Sequence, residues 1–195
     1  WNVKKAVHKQ SGQKVSLWIF DYPKIKAAER NTNERHNFMN SLVASIKMQQ
    51  KIIHQNVLKI IELNEDMKSL AFAAEAIKYQ SVKEPNFTRD EAIYASKQLA
   101  TVMKFINEEM HLAYLSLYPD NVLFNKSFKL KLSLFPFSRY VKDPQTPIEK
   151  ITPWRNNSMC IPVAYVPPEI INQDKVLIKA DSFMFGLFVY YLFTN

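Results

Sequence analysis

Leu117-Tyr118-Pro119-Asp120-Asn121-Val122-Leu123 is the stretch around which the rest of the chain falls into order. Downstream, Asn121 to Phe124 and Phe128 to Leu134 read as brief strands, the second alternating as Phe-Lys-Leu-Lys-Leu. A proline-rich segment from Pro136 to Pro168 reads as mostly loop. The apolar run from Phe183 to Phe193, interrupted only by Gly186, is short of the roughly 20 residues a bilayer demands and reads as a buried core helix. Upstream, Thr88-Arg89-Asp90-Glu91 has the form of a capping box opening a long helix to about Glu109, with Ile93, Leu99, Val102, Met103 and Ile106 on its apolar face. Before it, Val57 to Glu62 and Ser69 to Glu75 read as a hairpin across the polar turn Asn64 to Lys68. Asn31-Thr32-Asn33-Glu34 starts a helix that carries Phe38, Leu42, Ile46 and Ile53 at helical spacing. A first hairpin pairs Trp1 to His8 with Lys14 to Phe20, and Gly12 supplies its turn.

The 195 residues are 47% hydrophobic and 23% charged, enough apolar content for one globular domain. The net charge of +8 is spread along the chain, which reads as a solvated basic surface and not as a nucleic-acid-binding stripe. A single cysteine, Cys160, excludes an intrachain disulfide; it suits a reducing compartment, or a fragment whose partner cysteine lies elsewhere. His8, His36, His54 and His111 lack zinc spacing, so no metal site is expected. No stretch is long enough to span a membrane, which leaves peripheral association open. Three Asn-x-Ser/Thr triplets, at Asn86, Asn125 and Asn156, read as chance matches without a secretory signal.

The order hairpin, helix, hairpin, long helix, two short strands, long loop, buried helix resembles that of a protein kinase. His54-Gln-Asn-Val57 is similar to the HPNI turn after the kinase C helix, and Leu117 to Leu123 to the L-x-P-x-N-V-L part of the catalytic loop. Pro167-Pro-Glu169 resembles A-P-E, and Asp181-Ser-Phe-Met-Phe-Gly186 resembles D-x-W-S-x-G. The resemblance implies an α+β, two-lobe fold: an N-lobe over 1–75 with an antiparallel sheet and the C helix but no first strand or Gly-rich loop, then a mostly helical partial C-lobe over 76–195 ending in the F helix, incomplete at both ends. Val15-Ser-Leu-Trp-Ile-Phe-Asp21, Leu70-Ala-Phe-Ala-Ala-Glu75 and the Phe-x-Phe-Ser of Phe135 to Ser138 further resemble the Scy-like pseudokinases of vesicle trafficking, the coated-vesicle-associated branch among them.

Phosphoryl transfer requires phosphates to be cradled, magnesium held and the nucleophile oriented. At the matching positions this chain carries other chemistry. Trp18 stands where V-A-I-K has its lysine, its indole expected either in the nucleotide cleft or packed between the lobes. Lys14, Lys4 and Lys5 are the nearest replacements. Ser45, nine residues before His54, matches the C-helix glutamate. Tyr114-Leu115-Ser116 matches H-R-D, so a hydroxyl replaces the general base. Leu134-Phe135-Pro136 matches D-F-G, and leucine offers magnesium no oxygen. Asn121, Ala74 and Glu75 form the residual nucleotide cleft, with Asn121 expected to bond its own loop and Ala74 leaving space that Trp18 or a ligand fills. By resemblance Asp181, Glu169 and Gly186 are structural, Asp181 accepting backbone hydrogen bonds from the catalytic loop. The chain is therefore expected to be no enzyme and to use no cofactor. The resemblance implies a cytoplasmic scaffold, at Golgi, endosome or vesicle surfaces, whose partners are proteins such as coat or adaptor components. Two alternatives stand beside it: an unorthodox nucleotide-binding or phosphotransfer enzyme, and a structural component of a large assembly docked through Val141 to Val166.

Overall fold

A computed structural model describes residues 1–20, 32–66, 69–78, 86–133, 135–143, 163–172 and 177–194. Asn31, Met67, Lys68, Cys160 and most of the Pro136 to Pro168 segment lie outside these residues. The fold is α+β, with an antiparallel N-lobe sheet and a helical C-lobe.

Strand β1 (Asn2–Val7) turns back into β2 (Lys14–Ile19) through Gly12, whose φ of +65° is cheap only for glycine. The His8 N–H donates to Gln13 O at 2.9 Å across the turn. β2 then pairs with β4 (Ser69–Glu75), and β4 with β3 (Ile60–Asp66), giving the antiparallel order β1-β2-β4-β3. Helix α1 (Thr32–Gln50) covers this sheet with Leu42 and Ile46, both fully buried. Ile53, expected on the same apolar face, lies beyond the end of α1 and is almost wholly exposed.

Two strand boundaries differ from the sequence reading. β3 begins at Ile60, because Val57 forms a parallel bridge to Leu132 while the Leu58 N–H donates to Leu132 O and the Leu132 N–H to Asn56 O, each at 2.8 Å. Segment 56–58 is thus recruited by the C-lobe. At the other end β3 runs to Asp66, which pairs with Ser69, so the hairpin is tighter than a turn over Asn64 to Lys68.

Helix α2 (Arg89–Lys104) starts on a full capping box: Thr88 Oγ1 accepts the Glu91 N–H and the Glu91 carboxylate accepts the Thr88 N–H. Replacing Thr88 by alanine removes that acceptor and lowers the unfolding free energy by about 1 kcal/mol, measured by urea titration. Five residues of π-helix, Phe105–Glu109, continue α2. The buried stripe is Ala92, Ala95, Leu99, Val102, Met103 and Ile106, whereas Ile93 is 36% exposed. α2 packs against α4 (Ala180–Thr194), and Ile93 lies off the buried stripe.

Three short strands of the C-lobe are β5 (Leu112–Ala113), β6 (Val122–Phe124) and β7 (Leu130–Leu132); Pro119–Asn121 before β6 is a 3-10 turn. β7 is shorter than the Phe128 to Leu134 reading because Phe128 takes φ +58° in the β6–β7 turn. Within the stretch read as loop, β8 (Arg139–Tyr140) pairs with β5. A four-residue helix, α3 (Pro168–Ile171), follows later. α4 is not buried all round: Ala180, Met184, Phe188 and Leu192 face the core, while Phe183, Tyr190 (69% exposed) and Phe193 face outward.

Candidate functional site

The cleft between the lobes is built from the inner face of β2, the end of β4, and the loop from Tyr114 to Leu123. Trp18 is 4% exposed; its indole lies flat on Phe72, centroids 5.4 Å apart and planes 10° apart, with Trp1 meeting it edge-on at 6.3 Å. It belongs to one apolar cluster with Leu42 and Ile46 of α1, Ala74 of β4 and, from the C-lobe, Leu123 of β6. The cluster is mainly the core between the N-lobe sheet and α1, to which Leu123 adds a C-lobe side chain. The indole N–H donates to Ser16 Oγ at 3.2 Å, and the Ser16 hydroxyl donates to Glu75 O at 2.7 Å. Ser45 is buried on α1, and its hydroxyl has no partner among the described residues. Lys4, Lys5 and Lys14 are exposed on the β1–β2 hairpin.

Below the end of β4, Glu75 accepts Lys131 Nζ at 2.6 Å and the Lys59 N–H at 2.9 Å. Lys131 is 6% exposed. Nothing in the sequence reading singled it out, since a lysine in an alternating strand reads as solvent-facing. Alternation along the strand puts Ser16 on the face of Trp18, but only the folded register places it opposite Ala74.

The loop after β5 hangs from α4. Asp181 Oδ2 accepts the Tyr114 N–H and Asn107 Nδ2, and Oδ1 accepts the Leu115 N–H, all at 2.7 Å. These bonds hold Leu115 at φ +52°, the left-handed region a leucine rarely enters. Burial pushes the Asp181 carboxyl up to about 6, with the three hydrogen bonds pulling the other way. The Tyr114 ring meets Phe135 edge-on at 4.8 Å, its hydroxyl donates to Ser133 O at 2.7 Å, and burial pushes that hydroxyl well above its ordinary value.

Asn121 Nδ2 donates to Ser116 O at 2.9 Å, and Asn121 O accepts the Ser133 N–H at 2.9 Å. Ser116 is fully buried, and its hydroxyl has no partner among the described residues. Pro136 is buried in the turn after Phe135, and Leu134 lies outside the described residues. Glu169 is half-buried in the first turn of α3, and Gly186 is exposed on α4 with nothing within 4 Å of an added Cβ. Among the described residues no three His, Cys, Asp or Glu side chains group to hold a metal. No helix of the described residues is long and apolar enough to cross a membrane. The arrangement fixes the loop on Asp181 and buries an aromatic ring at the position of the V-A-I-K lysine.

Comparison with known proteins places this geometry. The protein kinase domain model matches residues 2–195. The "Probable serine/threonine-protein kinase fhkC" of Dictyostelium discoideum is 28% identical over 181 residues, covering 89% of this chain and 28% of the relative. SCY1-like protein 2 of Mus musculus is 22% identical over 218 residues, covering 100% of this chain and 23% of the relative. Aurora kinase of Dictyostelium discoideum is 22% identical over 171 residues, covering 85% and 42%. The chain spans about a quarter of the length of the first two. At equal identity to SCY1-like protein 2 and Aurora kinase, the chain is not singled out as Scy-like. The expectation that it is no enzyme is overturned by relatives named serine/threonine or Aurora kinases, which cover 85% to 89% of the chain. With the two-lobe architecture, the loop anchored on Asp181 and a family model that matches residues 2–195, this chain belongs to the protein kinase domain family.

Proposed function

We propose that this kinase domain acts chiefly as a protein-binding scaffold in vesicle trafficking, in the cytoplasm at Golgi, endosome or vesicle surfaces, with coat or adaptor proteins as partners. The observation that carries the reading is the burial of Trp18, at the position of the V-A-I-K lysine, in the apolar cluster of the N-lobe sheet and α1 that Leu123 of β6 joins. The likeness to SCY1-like protein 2 across the whole chain supports the setting. A second reading, a serine/threonine kinase, is favoured by the names of the other relatives and by the Tyr114, Phe135 and Asp181 contacts that order the loop. Under it, phosphate transfer uses groups other than Trp18 and Ser116.

The full-length protein separates the two. The scaffold reading expects saturable binding of a purified coat adaptor, measured calorimetrically and unchanged by ATP. Absence of that binding, together with phosphate transfer to serine or threonine peptides at the roughly 1–100 per second usual for kinases, overturns it in favour of the second.

A further inference from the structure

The turn over residues 54–57 is a polar knot between the two lobes. The Val57 N–H donates to His54 O and the Asn56 N–H to His54 Nδ1, each at 3.1 Å. Asn56, which is 1% exposed, fastens the turn to the C-lobe: its O accepts the Leu132 N–H at 2.8 Å, and its Nδ2 donates to Leu130 O of β7 and to Gln98 Oε1 of α2, both at 2.9 Å. On the N-lobe side, Gln49 Nε2 of α1 donates to Leu58 O at 2.8 Å. The shape of the knot depends on one imidazole nitrogen, because the Asn56 N–H has no other acceptor among the described residues.

The His54 ring is stacked on Phe105, the first residue of the π-helical turn, with centroids 4.7 Å and planes 21° apart. Burial disfavours its charged form most; Glu109, at the end of that turn, favours it, and Lys131 and Lys129 of the β7 segment oppose it. A proton added at Nδ1 turns an acceptor into a donor. It would then point N–H at N–H, so the bond is lost and the Asn56 N–H is left unpaired.

We propose that His54 is a proton-operated clasp between the lobes: neutral, its Nδ1 holds the turn that fastens segment 56–58 to β7, and protonated it lets that turn go. The Glu75–Lys131 pair and the Trp18 cluster stay in place, so the opening is local and unfolds neither lobe. The clasp works alike in a scaffold and in a kinase, so its failure and that of the function proposed above are separate results.

Hydrogen exchange followed by mass spectrometry on the full-length protein reads both halves of the proposal. Exchange at the imidazole C2 gives the ionisation of His54; amide exchange, corrected for its intrinsic pH dependence, gives the protection of residues 56–58 and 130–132. His54 is expected to stay neutral to below its ordinary 6.5. Protection is full above about pH 6.5 and falls as pH drops from there to the ionisation midpoint, by about tenfold for each unit between the two. His54→Asn offers a side-chain oxygen to the same N–H two residues on and has no titrating proton, so its protection stays level. His54→Ala is weakly protected throughout. Asp181 titrates in all three chains and cancels in the comparison. Ionisation of His54 at or above about pH 6.5, or a parallel fall in His54→Asn, overturns the proposal. If His54→Asn does not fold, the wild-type chain decides alone: protection that is level between about pH 6.5 and the ionisation midpoint overturns it.

Discussion

Asp181→Ala lowers the unfolding free energy at pH 7 by about 4 kcal/mol, because two buried backbone donors, the N–H groups of Tyr114 and Leu115, lose their acceptor at about 1–3 kcal/mol each. Leu115 is also released from its left-handed conformation, so the loop that carries Ser116 and Asn121 loses its fixed shape. Asp181→Asn gives the sharper test, through pH. The Asp181 carboxyl rises on folding from its ordinary 3.8 to about 6. In that interval the folded state holds a proton that the unfolded state has lost. Its contribution is therefore fully present below about pH 4 and is lost as pH rises through about 6. The interval corresponds to about 3 kcal/mol. Subtracting the Asp181→Asn curve from the wild-type curve, each from urea titrations, isolates this group. His54, whose ring burial depresses, works in the opposite direction and cancels in the difference because both chains carry it. The difference is expected to fall by about 3 kcal/mol between pH 4 and 6 and to level off above 7. Parallel curves would mean that Asp181 titrates alike in the folded and unfolded states.

Glu75→Leu costs about 3 kcal/mol, since it strands the ammonium of Lys131 in a site that is only 8% exposed at the side chain. Lys131→Met costs less: Glu75 is 23% exposed and retains the Lys59 N–H. With both replacements no charge is left unpaired, and the double variant is expected to be more stable than Glu75→Leu alone. Guanidinium titrations of the four chains close the cycle. Simple additivity of the two single losses would show that the 2.6 Å contact carries no coupling.

Much of the fold was legible because it is written in short-range chemistry. Thr88 and Glu91 satisfy each other within one helical turn, Gly12 supplies a conformation other residues resist, and alternation along β2 aligns Ser16, Trp18 and Phe20 whatever the rest of the chain does. The ordered kinase-like segments from His54 to Gly186 were equally readable, and with them the two-lobe plan. The residue types at Trp18, Ser45 and Ser116 were plain as well, yet they led to the expectation of no enzymatic activity, which the kinase relatives overturn: a residue type at a matched position names a side chain and not what the whole domain does.

Tertiary structure decided the remainder, wherever a residue's surroundings come from a distant part of the chain. Lys131 is buried because Glu75, 56 residues away, meets it; Val57 leaves its hairpin because β7 offers a bridge; and Leu115 turns left-handed because Asp181, 66 residues on, accepts its N–H. Ile93 is 36% exposed while Ala92 and Ala95 beside it are buried, and Phe183, Tyr190 and Phe193 are exposed on α4 while Met184, Phe188 and Leu192 are buried in the core. Local sequence sets backbone preference and the spacing of apolar groups, but burial and hydrogen-bond pairing belong to pairs of segments. Only when the chain has closed is it settled that the Trp18 indole meets Phe72 on one side and shares its cluster with Leu123 from the other lobe.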